Sequence, residues 1–199
     1  MNMQAKIGSF SRDDERAQAP GHGPVLLTGA LKADDGVYPV GLLLTRKADG
    51  KLEPLQKIAE QVLATGDGAT KDFSGTLATG LPVEPGTITI TDGVETFVDD
   101  GSGRLVGDAG GSGTINYKTG GYGVSFNANV VNEVEVVGNC TTKIAGVLDE
   151  LVDTAERGAG LYIRHGTCRA DVLKIGAVAK NLPTFLDLML LQENGIYPV

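Results

Sequence analysis

The chain has no tryptophan, and its 199 residues hold only five tyrosines, five phenylalanines, two histidines and two cysteines. Each scarcity excludes something. So few aromatic side chains leave little surface on which sugar rings can stack. Two cysteines, Cys140 and Cys168, allow one disulfide at most and no disulfide framework, so free thiols and folding in a cytoplasm are the default expectation. Positive charge is outweighed, with 17 Lys and Arg against 25 Asp and Glu, a formal net charge of −8. That balance argues against a nucleic-acid partner, which needs a basic face, and against an anionic membrane surface. No window approaches the roughly 18 consecutive apolar residues of a spanning helix. The stretch from Met1 to Ile7 carries no apolar signal core.

Glycine, by contrast, is abundant. The 29 glycines are about twice the ordinary share, and they are spread between alternating segments rather than gathered in one tract. This distribution predicts many turns and short strands. The hydrophobic content of 41% is enough for a core, and the length suits one domain or two small ones.

Residues 1–24 are polar, with Ser11-Arg-Asp-Asp-Glu-Arg16 followed by Ala-Gln-Ala-Pro-Gly-His-Gly-Pro. Few apolar groups are available to offset the entropy of ordering, so a flexible arm is expected. Residues 25–45 read as two strands around the turn Asp34-Asp35-Gly36. Next, Pro54 is placed to open a helix in which Leu55, Ile58, Ala59, Val62 and Leu63 form an amphipathic stripe ending at Gly66. Residues 66–72 read as a linker or long loop.

The character changes over residues 73–142. Thr87-Ile-Thr-Ile-Thr91 alternates strictly, Tyr122, Val124 and Phe126 share one face, and a strand is expected over Val130–Val137. Turn residues recur every 8 to 12 positions or so, the signature of an antiparallel sandwich or barrel. After this block, Ile144, Val147 and Leu148 start a strand, Leu161-Tyr162-Ile163 form another, and Gly166 breaks it. Ala170, Val172, Leu173 and Ile175 follow at roughly helical spacing. Near the end, Pro183 is placed at the first position of a helix that stops at Asn194-Gly195. Phe185, Leu186, Leu188, Met189, Leu190 and Leu191 cover nearly its whole circumference, so burial on several sides is expected, one of them against a neighbouring subunit.

Candidate chemistry is thin. Arg164-His165-Gly166 invites comparison with histidine phosphatases. There, however, an arginine would follow two residues on, where Cys168 stands, and the other histidine, His22, lies in the polar arm. His165 and Cys168 are two metal-ligating types without the spacing of a closed site. Asp99-Asp-Gly-Ser-Gly103 and Asp108-Ala-Gly-Gly-Ser-Gly113 have the oxygen-rich look of calcium loops, yet turn formation by Asp and Gly explains them. No enzyme activity and no cofactor or metal is expected.

The order of strands and turns after residue 144 resembles the head decoration proteins of tailed phages, the lambda-like D family. The residues that carry the resemblance are Gly146-Val147-Leu148, the polar loop to Gly160, Leu161 to Ile163, Arg164-His165-Gly166 and Leu173. It covers about residues 144–198, with a weaker echo at 20–44. The implied fold is mainly β, α+β in detail. A small decoration-type β-domain with short helices (residues 25–72 and 143–199) is interrupted by an antiparallel, sandwich-like insertion (73–142). The resemblance implies a homotrimer on the outer surface of the virion, made in the host cytoplasm, which binds the major capsid protein and stabilises the expanded head. An arm over residues 1–24 would contact the coat, with Ile7, Phe10, Arg12, Arg16 and Pro20 as its contact residues. Leu186, Met189 and Leu190 are the candidates for packing between subunits. The insertion would face outward, to bind host surfaces or glycans or merely to add bulk. The rival readings are a tail or fibre module that binds carbohydrate through residues 73–142, and a small hydrolase using residues 164–169.

Overall fold

The computed structural model describes residues 16–78, 81–176 and 181–199. The chain forms β1 (Val25–Ala30), β2 (Val37–Tyr38), β3 (Leu43–Arg46) and β4 (Leu52–Pro54), then eight strands of a second unit. These are β5 (Lys57–Thr65), β6 (Asp72–Thr76), β7 (Thr89–Thr91), β8 (Thr96–Asp99), β9 (Arg104–Gly107), β10 (Ser112–Asn116), β11 (Gly121–Ser125) and β12 (Glu135–Thr141). The chain returns to the first unit through β13 (Ile144–Leu148), β14 (Val152–Asp153) and β15 (Ala159–Cys168), then α1 (Phe185–Glu193) and β16 (Ile196–Pro198). The fold is thus mostly β with one short α-helix among the described residues, as the glycine distribution and period-two patterns predict.

The first sheet has the order β1-β15-β13-β3-β4, with β16 lying parallel to the end of β15, and β14 and β2 forming a separate two-stranded ribbon. Its inner strands are buried on both faces, while the edge strand β1 is largely exposed. Cross-strand pairs Val147↔Ile163 and Leu148↔Tyr162 alternate between them. Leu43, Val147, Ile163, Leu173 and Leu191 fill one side. Leu42, Leu44, Leu52, Leu148 and Tyr162 fill the other. This two-sided burial is why Leu42-Leu43-Leu44 reads as an unbroken apolar run instead of alternating.

Residues 57–141 form an eight-stranded antiparallel sheet in the order β5-β12-β7-β8-β9-β10-β11-β6. The sheet curls until its two edge strands approach. Gln61 of β5 bridges the gap, donating to the Thr76 carbonyl at 3.3 Å and accepting from the Ala78 amide at 3.0 Å. Ile90, Phe97, Leu105, Ile115, Tyr122 and Phe126 fill the interior. Phe126 packs edge-on against Phe97 at 4.9 Å and against Phe73 at 5.8 Å.

Several elements differ from the sequence reading. The helix expected from Pro54 to Gly66 is the strand β5, so the curled sheet starts at Lys57 and not at residue 73. Its pairing with β12 slips at two places, and Glu60 takes φ +53°. A bulge shifts the side-chain phase of a strand by one residue. Ile58 and Leu63, an odd number of positions apart, therefore face the same core, and the interrupted alternation imitates helical spacing. The strand expected from Val130 to Val137 begins only at Glu135, because Glu133 sits at φ +65° in a turn. Ala170–Val172 is a single 3-10 turn and not a helix to Ile175. In α1 the N-cap is Thr184, which leaves Pro183 one residue outside the helix.

Candidate interaction surface

Two glycines, Gly146 and Gly166, have a spatial reason. A Cβ at Gly146 would lie 2.4 Å from the ring of Tyr162, so only glycine lets that ring lie against β13. Gly166 has φ +106°, and a Cβ there would meet Pro24 Cα at 2.7 Å. It is the point where the chain entering β1 crosses β15.

That crossing belongs to a docked N-terminal segment. Residues 16–24, read from sequence as the end of a flexible arm, are laid along β15 by a set of hydrogen bonds. Thr167 Oγ1 is 2.9 Å from the Ala19 carbonyl and 2.8 Å from that of His22. The Arg169 amide donates to the Ala17 carbonyl at 2.8 Å, and Ala17 is fully buried. Asp149, also fully buried, accepts from the Gln18 amide at 3.0 Å, from Gln18 Nε2 at 2.8 Å and from Arg16 Nη1 at 3.2 Å. Arg16 is therefore tied to the body by an ion pair, and Pro20 is exposed on the docked segment. Ile7, Phe10 and Arg12 lie outside the described residues. Nothing in the sequence singles out Asp149: the acidic pair Asp149-Glu150 after Val147-Leu148 carries no local mark of the segment that will reach it.

α1 is anchored at its polar start and one apolar side. Asp187 is 2% exposed and closes a capping box with Thr184, whose amide donates to Oδ2 at 2.7 Å. Lys57 Nζ, from the curled sheet, reaches the same carboxylate at 2.9 Å. Leu191 is fully buried in the core of the first sheet, and Leu190 packs partly against it. Leu188 also packs partly against that core, while the remaining apolar side chains are open to solvent. Leu182 and Phe185 are each 74% exposed, Leu186 68% and Met189 43%. Burial on several sides therefore does not occur within one chain. Of the three packing candidates, Leu186 and Met189 present themselves to solvent and Leu190 is half-buried. Beside them runs a groove of about 380 Å³, walled by Leu186, Met189, Leu190, Thr87 and Thr141.

Asp187 makes this anchor sensitive to acid. Burial alone would raise its carboxyl; the hydrogen bonds from Lys57 and Thr184 outweigh that and hold it below the ordinary carboxylate range. A carboxyl with a lowered folded-state value adds stability above its unfolded value, near pH 4, and that contribution is lost as pH falls through the folded-state value. Amide exchange in α1, compared between wild type and Asp187→Asn, should show protection in the wild type declining below about pH 4, with a weaker pH dependence in the variant. Equal profiles would show that this carboxylate does not hold the helix.

The residues considered for catalysis are dispersed. His165 does meet His22, with ring centroids 5.0 Å apart, and Tyr197 at 6.0 Å. Arg169, though, forks onto Asp171 at 2.7 and 3.1 Å, and the exposed Arg164 lines a groove of its own. Cys168 and Cys140 are free, sit in separate cores, and have thiols pushed up to about 11 by burial. Asp99 serves the Gly86 amide at 2.6 Å and the Tyr117 hydroxyl at 2.6 Å, and Asp108 serves the Thr96 amide at 2.9 Å. Among the described residues no three His, Cys, Asp or Glu side chains converge as a metal site, and no helix is long and apolar enough to cross a membrane.

No protein-family model, curated protein or solved structure matches the chain.

Proposed function

We propose that the chain is a decoration protein of a tailed-phage head, which assembles as a homotrimer, binds the major capsid protein and stabilises the expanded shell. The observation that supports this reading best is the open apolar face of α1. Phe185, Leu186 and Met189 are exposed on α1, with Leu182 exposed just before its N-cap, and the helix is otherwise firmly anchored. Each large apolar side chain removed from water contributes about 1.5–3 kcal/mol, enough for a few such residues per subunit to support self-association. Three linked copies would then bind a lattice with avidity, and binding only the expanded shell stabilises it by mass action.

The test is sedimentation of the intact protein, alone and with expanded, undecorated capsids. A trimer that co-sediments saturably is expected. The double variant Leu186→Asp/Met189→Asp should be monomeric and bind at least tenfold more weakly, as expected when avidity is lost. A wild type that stays monomeric and ignores capsids overturns the reading. A second reading, a carbohydrate-binding module, rests on the shallow cleft of about 550 Å³ across the curled sheet, lined by Phe73, Ser74, Arg104 and Thr114. Glycan binding without capsid binding would favour it.

A further inference from the structure

At the junction of the two sheets lies a groove of about 340 Å³ with an unusual lining. Arg46 at the end of β3, Lys47 just after it, Lys118 from the β10–β11 turn, Lys143 before β13 and Arg164 of β15 all face it. No carboxylate lines it; the remaining walls are Pro82, Ile144 and Ala145. These five cations belong to a chain that has only 17 Lys and Arg and a net charge of −8. They come from four separate stretches of sequence, so no charge run announces them.

The cations differ in their state. Lys47 is paired with the buried Glu53 at 3.4 Å. Arg46 is held in place: its Nη1 donates to the Gly50 carbonyl at 2.9 Å and its Nη2 to the Tyr162 hydroxyl at 2.7 Å. The ring of Tyr162 lies 5.9 Å from its guanidinium carbon, and that ring is itself seated against Gly146. Lys118, Lys143 and Arg164 form no side-chain hydrogen bond or ion pair among the described residues. A fixed guanidinium opposite three unpaired cations, in a cleft with low-dielectric walls, focuses positive potential on a small volume. A fixed donor also loses little freedom when it binds.

We propose that this groove binds a small multivalent oxyanion of the phosphoryl class, with pyrophosphate as its simplest member. Guanidinium forks and ammonium groups recognise such oxygens directly. Nucleic acid does not suit the site: the chain carries a net charge of −8, and no aromatic side chain lines the groove for base stacking. Tyr162 is a positioning residue, acting through Arg46.

Calorimetric titration of the intact protein with inorganic pyrophosphate at low ionic strength tests this, with a nucleoside diphosphate in a parallel arm. Saturable binding that weakens with added salt is expected. Equal affinity in the two arms would assign recognition to the phosphoryl groups alone, and tighter nucleoside diphosphate binding would assign it to those groups carried on a larger molecule. Lys143→Glu/Arg164→Glu should weaken binding by roughly ten- to a hundredfold, the effect of one or two charge-assisted contacts. Both positions are exposed, so the thermal transition should be kept. Tyr162→Phe retains the ring and every cation, and should weaken binding less. Lys71→Glu reverses one charge, where the double variant reverses two, away from the groove, and should leave affinity nearly unchanged. No saturable binding by the wild type, or binding that survives the double charge reversal, overturns the proposal. Preference for a polyglutamate peptide over pyrophosphate would overturn the oxyanion assignment and give the groove to an acidic polypeptide.

Discussion

Phe97→Ala should destabilise the curled sheet by about 3–5 kcal/mol, a large share of the roughly 5–15 kcal/mol that holds a typical domain. Phe97 is fully buried and meets Phe126 edge-on, with an interplanar angle of 90°. Its ring tip lies under Gly111, where a Cβ would come within 2.7 Å of it. Around it, Glu95 fastens the rim, accepting from the Gly111 amide at 2.5 Å and the Asn127 amide at 2.7 Å. The strands are therefore pinned above and beside the ring and have little freedom to collapse into the void, which places the cost high in its range. Urea unfolding measures it as a lower midpoint at unchanged slope. The two free cysteines add a local readout. Cys140 belongs to the curled sheet's core and Cys168 to the other, and both are protected by burial. The substitution should speed labelling of Cys140 more than that of Cys168. Equal acceleration would mean that the two cores open together, and a loss below about 1 kcal/mol would mean that the site relaxes far more than this packing implies.

Asp149→Ala should cost about 3 kcal/mol and release the N-terminal segment. Its carboxylate has no exposure, and its three donors come from Arg16 and Gln18. Removing it strands the Gln18 amide and side chain without their acceptor. Arg16→Ala is a different case: the arginine side chain is 45% exposed, and losing an exposed partner costs less than about 1 kcal/mol. Trypsin reads both effects. Cleavage after Arg16 should become fast in Asp149→Ala and stay slow in the wild type. If it stays slow in the variant, the contacts of Thr167 and Arg169 hold the segment without the carboxylate.

Much of the architecture is legible in the residues. Tyr122, Val124 and Phe126 read as one inward face and are all buried. Asp92-Gly93 and Thr119-Gly120-Gly121 read as turns; Gly93 at φ +84° and Gly120 at φ +68° stand between paired strands, while Gly121 already opens β11. Leu161-Tyr162-Ile163 read as a buried strand and lie in the middle of the first sheet. These features follow from local rules, since period two, β-branching and left-handed glycines act over a few residues. β5 reads as a helix because a bulge makes a strand copy a helix's spacing, and only its pairing with β12 removes the ambiguity.

The sequence by itself determined a glycine-rich, mostly β chain, acidic overall, with an apolar helix near its end. Its information is short-range, carried by the alternation and turn chemistry of neighbouring residues. Tertiary structure alone decided the rest. It laid residues 16–24 on Asp149, which is 131 residues from Gln18 in the chain. It left Leu186 and Met189 uncovered, because Leu191 and Asp187 took the inward side of α1. It also gathered Arg46, Lys47, Lys118, Lys143 and Arg164 around one groove. Each of these arrangements joins groups far apart in sequence, and their meeting depends on how two sheets pack, which no window of neighbouring residues encodes.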